Sequence, residues 1–498
     1  MLERHLESSQ GLADEQYGFR KGRSTEDAIS ALESTANAAL GKYELCVAVS
    51  LDIRNSFNSI GWDHIKTALQ KCDVPEYLLQ TFQAYFKERS ATLAHSHSAT
   101  GQLEINITCG VPQGSVVGPT LWNVAYDRVL RAQCPESTKI IGFADDTLVM
   151  AFGKTTEDVE RRINEALEVV AEEISILGLS LATEKSEAVF FKRQYKKRKP
   201  TIRLNGADVP ITKTMRYLGL TIDEKLKFRE HIKEAAKKGQ RVLTSLKRLM
   251  PDIGGPTEPR RRLLVSVVQS VMLYGAPIWA TSLEYSKVIR RELLKVQRQA
   301  VLRSICGYRT ISYDTTYILA STPPIDLIAM ERRKLFQIRR GLTRKTVQEA
   351  KGDTMVEWLQ RTEDAKKGEW TRTLIHDVRG WVMRKHGSMD FHLTQVLSGH
   401  GCFSYYTHRI GKKEEPNCRH CPSTLDNAHH TLVECRAWAA EREELEAEIG
   451  QLNIGSLIGK MLSNTQAWEA VSAFAKRTMK QKEALERAQQ LEERNMTN

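Results

Sequence analysis

No stretch of this sequence stays apolar for the roughly 20 residues that a membrane-spanning helix needs. The longest candidate, Leu263–Ala280, is interrupted by Ser266, Gln269, Ser270, Gly275 and Pro277, so it reads as a buried helix. The opening MLERHLESSQ carries charges where a secretory signal needs an apolar centre. Cysteine is sparse, nine in 498 residues. Most are scattered and several lie inside apolar runs, which points to a reducing compartment rather than a disulfide scaffold. No long internal repeat is present. Acid is in deficit, with 61 Asp and Glu against 73 Lys and Arg. The resulting net charge of +12 favours an anionic partner, of which nucleic acid is the commonest. The length suffices for two to four domains with cores of their own.

The apolar patterning is informative where it is dense. LCVAVSLD (Leu45–Asp52) is a short Val- and Leu-rich run that predicts a buried strand ending on an acid. KIIGFADDTLVMAF (Lys139–Phe152) is two apolar runs around an Asp145-Asp146 pair, the pattern of a β-hairpin with the acids at its tip. After a threonine cap, Val159, Ile163, Leu167, Val170, Ile174 and Leu177 form one stripe of a helix that stops at Gly178. LATEKSEAVFF (Leu181–Phe191) predicts a further strand. The order strand, helices, hairpin, helix, strand is that of a ferredoxin-like split βαβ sheet with helices on one face, an α+β fold.

Beyond it, Lys192–Pro200 carries six positive charges before its proline, a solvated loop or a nucleic-acid contact. In Lys225–Arg262 a helix stripe of Ile232, Ala236, Gly239, Leu243, Leu246 and Met250 faces away from Lys233, Lys237, Arg241 and Arg248. Residues 280–400 read as helical and basic, with Trp358, Trp370 and Trp381 as packing anchors. The last forty residues read as a charged helix burying Trp468, Val471 and Phe474.

Phosphoryl transfer by two divalent ions needs carboxylates converging on one point. Asp52 at a strand end and Asp145 and Asp146 at a hairpin tip would supply them if the strands are neighbours. Near the C-terminus, Cys418-x2-Cys421-x8-His430-x4-Cys435 has the three thiolates and one imidazole of a closed structural zinc site. His429 is the alternative to His430, which the x4 spacing to Cys435 favours. His400, Cys402 and His408 are expected to pack around the cluster.

Several of these segments resemble one family in the right order. LDIRNSFNS (Leu51–Ser59) resembles the first palm motif of reverse transcriptases. GVPQGSVVGPTLWN (Gly110–Asn123) resembles the template- and nucleotide-positioning motif, and GFADD (Gly142–Asp146) the catalytic aromatic-x-Asp-Asp motif. LATEKS resembles the lysine motif that follows, and MRYLGLTID (Met215–Asp223) the primer grip. QYGFRKGRSTEDAI (Gln16–Ile29) is similar to the segment preceding the palm in non-LTR, LINE-type retrotransposon enzymes, jockey-like and related insertion elements being nearest.

The resemblance implies a right-hand polymerase: a residual fingers segment at 1–40, palm at 41–224 and helical thumb at 225–300. A helical basic connector (301–398), a zinc-binding module (399–440) and C-terminal helices (441–498) follow. It implies that Asp52, Asp145 and Asp146 bind two Mg²⁺ ions, with Mn²⁺ as a substitute, and that Lys185 serves the departing pyrophosphate. Phe57 would be the gate that excludes a 2′-hydroxyl. Pro112, Gln113 and Gly114 would form the floor under template and nucleotide, and Tyr217, Leu218 and Gly219 the primer grip. Cys418, Cys421, His430 and Cys435 would hold one structural Zn²⁺. The implied partners are an RNA template, a DNA primer or target and dNTPs, in nucleus and cytoplasm and without a membrane. The family's polymerase begins with more fingers sequence than precedes Gln16, and the resemblance does not equate Arg20, Lys21 and Arg23 with its triphosphate-binding residues. An N-terminally truncated enzyme is therefore expected, the alternative being a fragment that binds nucleic acid without catalysis.

Overall fold

β1 (Leu45–Leu51) is apolar along nearly its whole length, and the computed structural model shows why: both faces of the strand are covered. The structure describes residues 1–8, 11–42, 45–94, 102–192, 198–423 and 425–497. They form two units, Met1–His231 and Ile232–Asn498.

In the first unit β1 lies at the centre of a five-stranded sheet of order β2-β3-β1-β4-β5. β2 (Thr138–Phe143) and β3 (Asp146–Gly153) are the expected hairpin, β4 is Glu187–Lys192 and β5 is Ile211–Thr212. All pairings are antiparallel except β4 with β5. The LATEKS segment departs from the expected strand. Thr183–Lys185 is a 3₁₀ turn, and the strand starts only at Glu187.

α1 (Thr25–Lys42) packs against β1, β2 and β4. Two further helices, α2 (Gly118–Leu130) and α3 (Thr156–Ile176), form the helical layer that the sequence predicts. Val47, Val49 and Leu51 share a core with Trp122, Val159 and Ile163. The alternate residues Cys46 and Ala48 are buried outside that core, so α1 adds a cover on the opposite face. α3 starts at Thr155, whose side chain accepts from the Asp158 amide, and buries the predicted stripe from Val159 to Ile174. β6 (Thr214–Tyr217) and β7 (Leu220–Asp223) make a separate hairpin beside β1 and β4. Its two turn residues, Leu218 (φ 46°) and Gly219 (φ 79°), both have the positive φ of a tight hairpin turn.

Of the basic Lys192–Pro200 run, residues 193–197 lie outside the described residues. Arg198 reaches Glu160 at 3.1 Å and Lys199 donates to the Ile211 carbonyl at 3.1 Å, so these two cations are tied to their own unit.

The second unit is helical. Glu258–Met272 packs on Lys287–Ser304, and Ile325–Gln337 packs on Arg344–Glu363. The long Thr465–Thr497 helix gathers Phe391–Ser398, Ala439–Ile449 and Ile454–Ser463 around it. Trp358, Trp381, Trp468, Val471 and Phe474 are buried as expected, whereas Trp370 is half-buried and donates to the Val396 carbonyl at 2.8 Å. The apolar Leu263–Ala280 stretch is buried on one side only. Val265, Val268 and Met272 face inward, while the helical period turns Leu263 and Val267 to the surface. No single described helix is long and apolar enough to cross a membrane, and Glu258–Met272 bends by 58° into Ala276–Leu283.

Candidate active site

The pairing Leu51↔Thr147 brings the end of β1 beside the start of β3, so Asp52 and Asp146 emerge on one rim. Asp145 sits in the β2–β3 turn just before. Like charges repel, and two of the acids have local partners. Asp52 Oδ2 lies 3.1 Å from Lys185 Nζ. Asp145 Oδ2 accepts a short hydrogen bond from Ser56 Oγ. Asp146 is open to solvent on its outer side but backed by protein on the other. That burial first, then the charges of Asp145 and Asp52, pushes its carboxyl up to about 6. The three carboxylates share a rim without closing on a common point. Among the described residues, only Cys418, Cys421, His430 and Cys435 bring four potential metal ligands within 4.8 Å of one another.

The turn that carries the acids is itself held from a distance. Ala144, between Phe143 and Asp145, has φ 58°, a left-handed conformation that costs free energy outside glycine and asparagine. Gln16, fully buried, spans it with its amide. Its Oε1 accepts from the Ala144 amide at 2.9 Å and from the Gly18 amide at 2.8 Å. Its Nε2 donates to the Ala144 carbonyl at 3.3 Å. The backbone adds Tyr17 N to the Gly142 carbonyl at 2.8 Å. Gly18 comes so close that a Cβ there would stand 2.2 Å from Ala144 N. In the sequence this QYG segment stands out only by its family resemblance, and no pattern there assigns Gln16 a task.

Phe57 lies on the short Ser56–Ser59 helix, and its carbonyl accepts from the Val111 amide at 2.7 Å. Gly110 packs against the same helix, where a Cβ would meet Asn58 Cα at 2.8 Å. The Pro112–Gly114 loop is thereby docked beside Phe57. Ser115 braces the loop, donating to the Pro112 carbonyl at 2.9 Å and accepting from the Gly118 amide at 3.0 Å. Tyr217 is buried, its hydroxyl without a partner among the described residues, so it anchors the hairpin from within. Leu218 is half-buried, and Gly219 is exposed at the tip.

In the second unit His430 Nε2 lies 3.3 Å from Cys421 Sγ, and Cys418 Sγ lies 3.9 Å from Cys435 Sγ. Glu434 contacts His430 Nδ1 at 3.1 Å, which fixes the ring with Nε2 toward the thiols. His429 instead contacts the other oxygen of Glu434 and stands edge-on to Trp370. His400, Cys402 and His408 remain outside the cluster; His400 is bonded to Thr310 and His408 to the Lys413 carbonyl.

Residues 1–222 match the family described as reverse transcriptase (RNA-dependent DNA polymerase). This is a reverse transcriptase domain. The chain is 26% identical over 489 residues to the 115 kDa protein in type-1 retrotransposable element R1DM of Drosophila melanogaster, covering 94% of this chain and 47% of that protein. It is also 26% identical over 482 residues to the retrovirus-related Pol polyprotein from element R1 of Bradysia coprophila, covering 92% and 47%. A third relative, the Pol polyprotein from element R1 2 of Nasonia vitripennis, is 25% identical over 407 residues, covering 77% and 99%. The chain thus spans about half the length of the first two. The reverse transcriptase family that residues 1–222 match generally works with Mg²⁺.

Proposed function

We propose that this chain is the RNA-directed DNA polymerase of a non-LTR retrotransposon, adding dNTPs to a DNA primer on an RNA template. The observation that carries this reading is the emergence of Asp52 and the Asp145-Asp146 turn on one rim of a reverse transcriptase domain. Two Mg²⁺ ions held there would activate the primer 3′-hydroxyl and take up charge on the leaving pyrophosphate. Asp52 and Asp145 would be their shared ligands and Asp146 the third acid. Ser56 keeps the Asp145 carboxylate oriented. Lys185 stands close enough to Asp52 to reach a departing pyrophosphate above it.

Phe57 acts as the gate against a 2′-hydroxyl, Pro112, Gln113 and Gly114 form the floor beneath template and nucleotide, and the Leu218–Gly219 tip meets the primer with Tyr217 as its buried root. On this reading 41–224 is the palm and 225–300 the thumb, with Lys237 and Arg241 on the exposed face of Arg229–Lys247 positioned to meet phosphates. The donor set and spacing of Cys418, Cys421, His430 and Cys435 suit one structural Zn²⁺. An RNA template and a DNA target fit work in both cytoplasm and nucleus.

Primer extension on an RNA template with this chain, dNTPs and Mg²⁺ tests the proposal. Extension is expected. Binding of the primer–template without extension would overturn the reading in favour of a nucleic-acid-binding role.

A further inference from the structure

The Phe57 ring does not stand alone. It stacks on Trp122 with centroids 4.9 Å apart and planes 28° from parallel. Trp122 in turn stacks on Tyr126 at 5.2 Å and 17°. Tyr126 ends the series with its hydroxyl 2.7 Å from Thr147 Oγ1, on the residue that follows Asp146. Trp122 and Tyr126 are fully buried one turn apart on α2, whereas Phe57 is only partly buried. Phe19 also meets the Phe57 ring in a T-shaped contact, 6.1 Å away and 87° from coplanar.

A gate discriminates by position. A ribose and a deoxyribose differ by one hydroxyl, so a ring displaced by about 1 Å from the sugar loses its effect. The Phe57 backbone is fixed by the Val111 hydrogen bond, which leaves the side-chain torsions as the freedom that matters. The Trp122 face limits those torsions from behind. Trp122 Nε1 has no hydrogen-bond partner among the described residues, so stacking and packing alone hold the indole.

We infer that Trp122 is a positioning residue for sugar selection. It is the back plate that keeps Phe57 at a set distance from the metal-binding turn, to which Tyr126 and Thr147 connect it. The inference rests on the reading of Phe57 as the gate, and it assigns deoxynucleotide selectivity to a residue that touches no substrate.

The test compares incorporation of dNTP and rNTP of the same base, as the ratio of their kcat/KM values, in wild type, Phe57→Val, Trp122→Leu, Trp122→Phe and Tyr126→Phe. A merely structural fault would lower both substrates together and leave the ratio unchanged. Trp122→Leu is expected to lower the dNTP preference by about tenfold or more, the scale on which a pocket wall discriminates. Trp122→Phe should fall between it and wild type. Tyr126→Phe, which keeps the ring and removes the Thr147 bond, should lower the ratio in the same direction. Should Trp122→Leu fail to fold, Trp122→Phe and Tyr126→Phe decide the matter, and wild-type ratios in both would overturn the inference. Loss of selectivity in Phe57→Val with wild-type ratios in the Trp122 variants would leave the gate standing and sink its back plate. A wild-type ratio in Phe57→Val would overturn the gate and the inference together. Absence of any incorporation by wild type would instead defeat the polymerase reading itself.

Discussion

Lys185 Nζ sits 3.1 Å from Asp52 Oδ2, and the backbone brings the two together. The Ala182 amide donates to the Asp52 carbonyl at 2.8 Å and the Arg54 amide to the Ser180 carbonyl at 2.9 Å. The 3₁₀ turn that follows then projects the lysine back over the acid. Both side chains are well exposed, at 66% and 39%, so the pair contributes only about 0–1 kcal/mol and yields readily to a stronger cation. Replacing Lys185 by Met should lower kcat for nucleotide addition by about 10²-fold if the amine serves the leaving group. Because the competing cation is gone, the Mg²⁺ concentration for half-maximal rate should not rise. A Mg²⁺ titration of single-nucleotide addition reads both, and an unchanged kcat would remove Lys185 from the chemistry.

The Asp146 carboxyl titrates near 6 in the folded chain, because burial and then Asp145 and Asp52 oppose its ionisation, against about 4 when unfolded. The folded state therefore binds this proton more tightly. Its stabilising effect is complete below about pH 4 and is lost as pH rises through about 6. Thermal melts of chelator-treated wild type and Asp146→Asn should diverge over that interval, wild type losing stability relative to the variant as pH rises. Parallel curves would contradict the assigned shift.

Gln16→Leu removes the acceptor for the Ala144 and Gly18 amides and the donor to the Ala144 carbonyl. Leaving these groups unsatisfied should cost about 1–3 kcal/mol in urea unfolding. Because the clamped turn carries Asp145 and Asp146, the Mg²⁺ requirement for extension should also rise, with primer–template affinity unchanged. Wild-type Mg²⁺ dependence in this variant would show that the turn holds its shape without the clamp.

His429 and His430 share Glu434 yet point to different places. Metal analysis of the purified chain should find one zinc per molecule, retained in His429→Ala and lost in His430→Ala and Cys435→Ser. Chelation should lower the melting temperature of the zinc-bound chain, since a closed site contributes directly to folding. Zinc retained in His430→Ala would reassign the fourth ligand.

The parts of this protein legible in its sequence are those fixed by local period and spacing. The continuous apolar run of Leu45–Leu51 marks a buried strand, and the Val159–Ile174 stripe marks the helix beside it. Cys418 to Cys435 is a short enough span for spacing alone to name the cluster. What could not be read are side-chain contacts between segments remote in the chain. Gln16 on Ala144, Phe57 on Trp122 and Tyr126 on Thr147 are each a property of the folded rim and leave no periodic trace. Leu181–Ser186 differs from the expected strand for a related reason: the Ala182 amide is taken by the Asp52 carbonyl, and the Lys185 and Ser186 amides turn back to the Ala182 and Thr183 carbonyls.

The central claim is that the acids on this rim run a two-metal polymerase, and single-turnover addition of one dNTP to a primer on an RNA template tests it most directly. Wild type with Mg²⁺ should extend the primer. Asp52→Asn and Asp145→Asn should each abolish extension while unfolding like wild type, since the substitutions remove charge and keep shape. Extension by either purified variant at the wild-type rate would contradict the account.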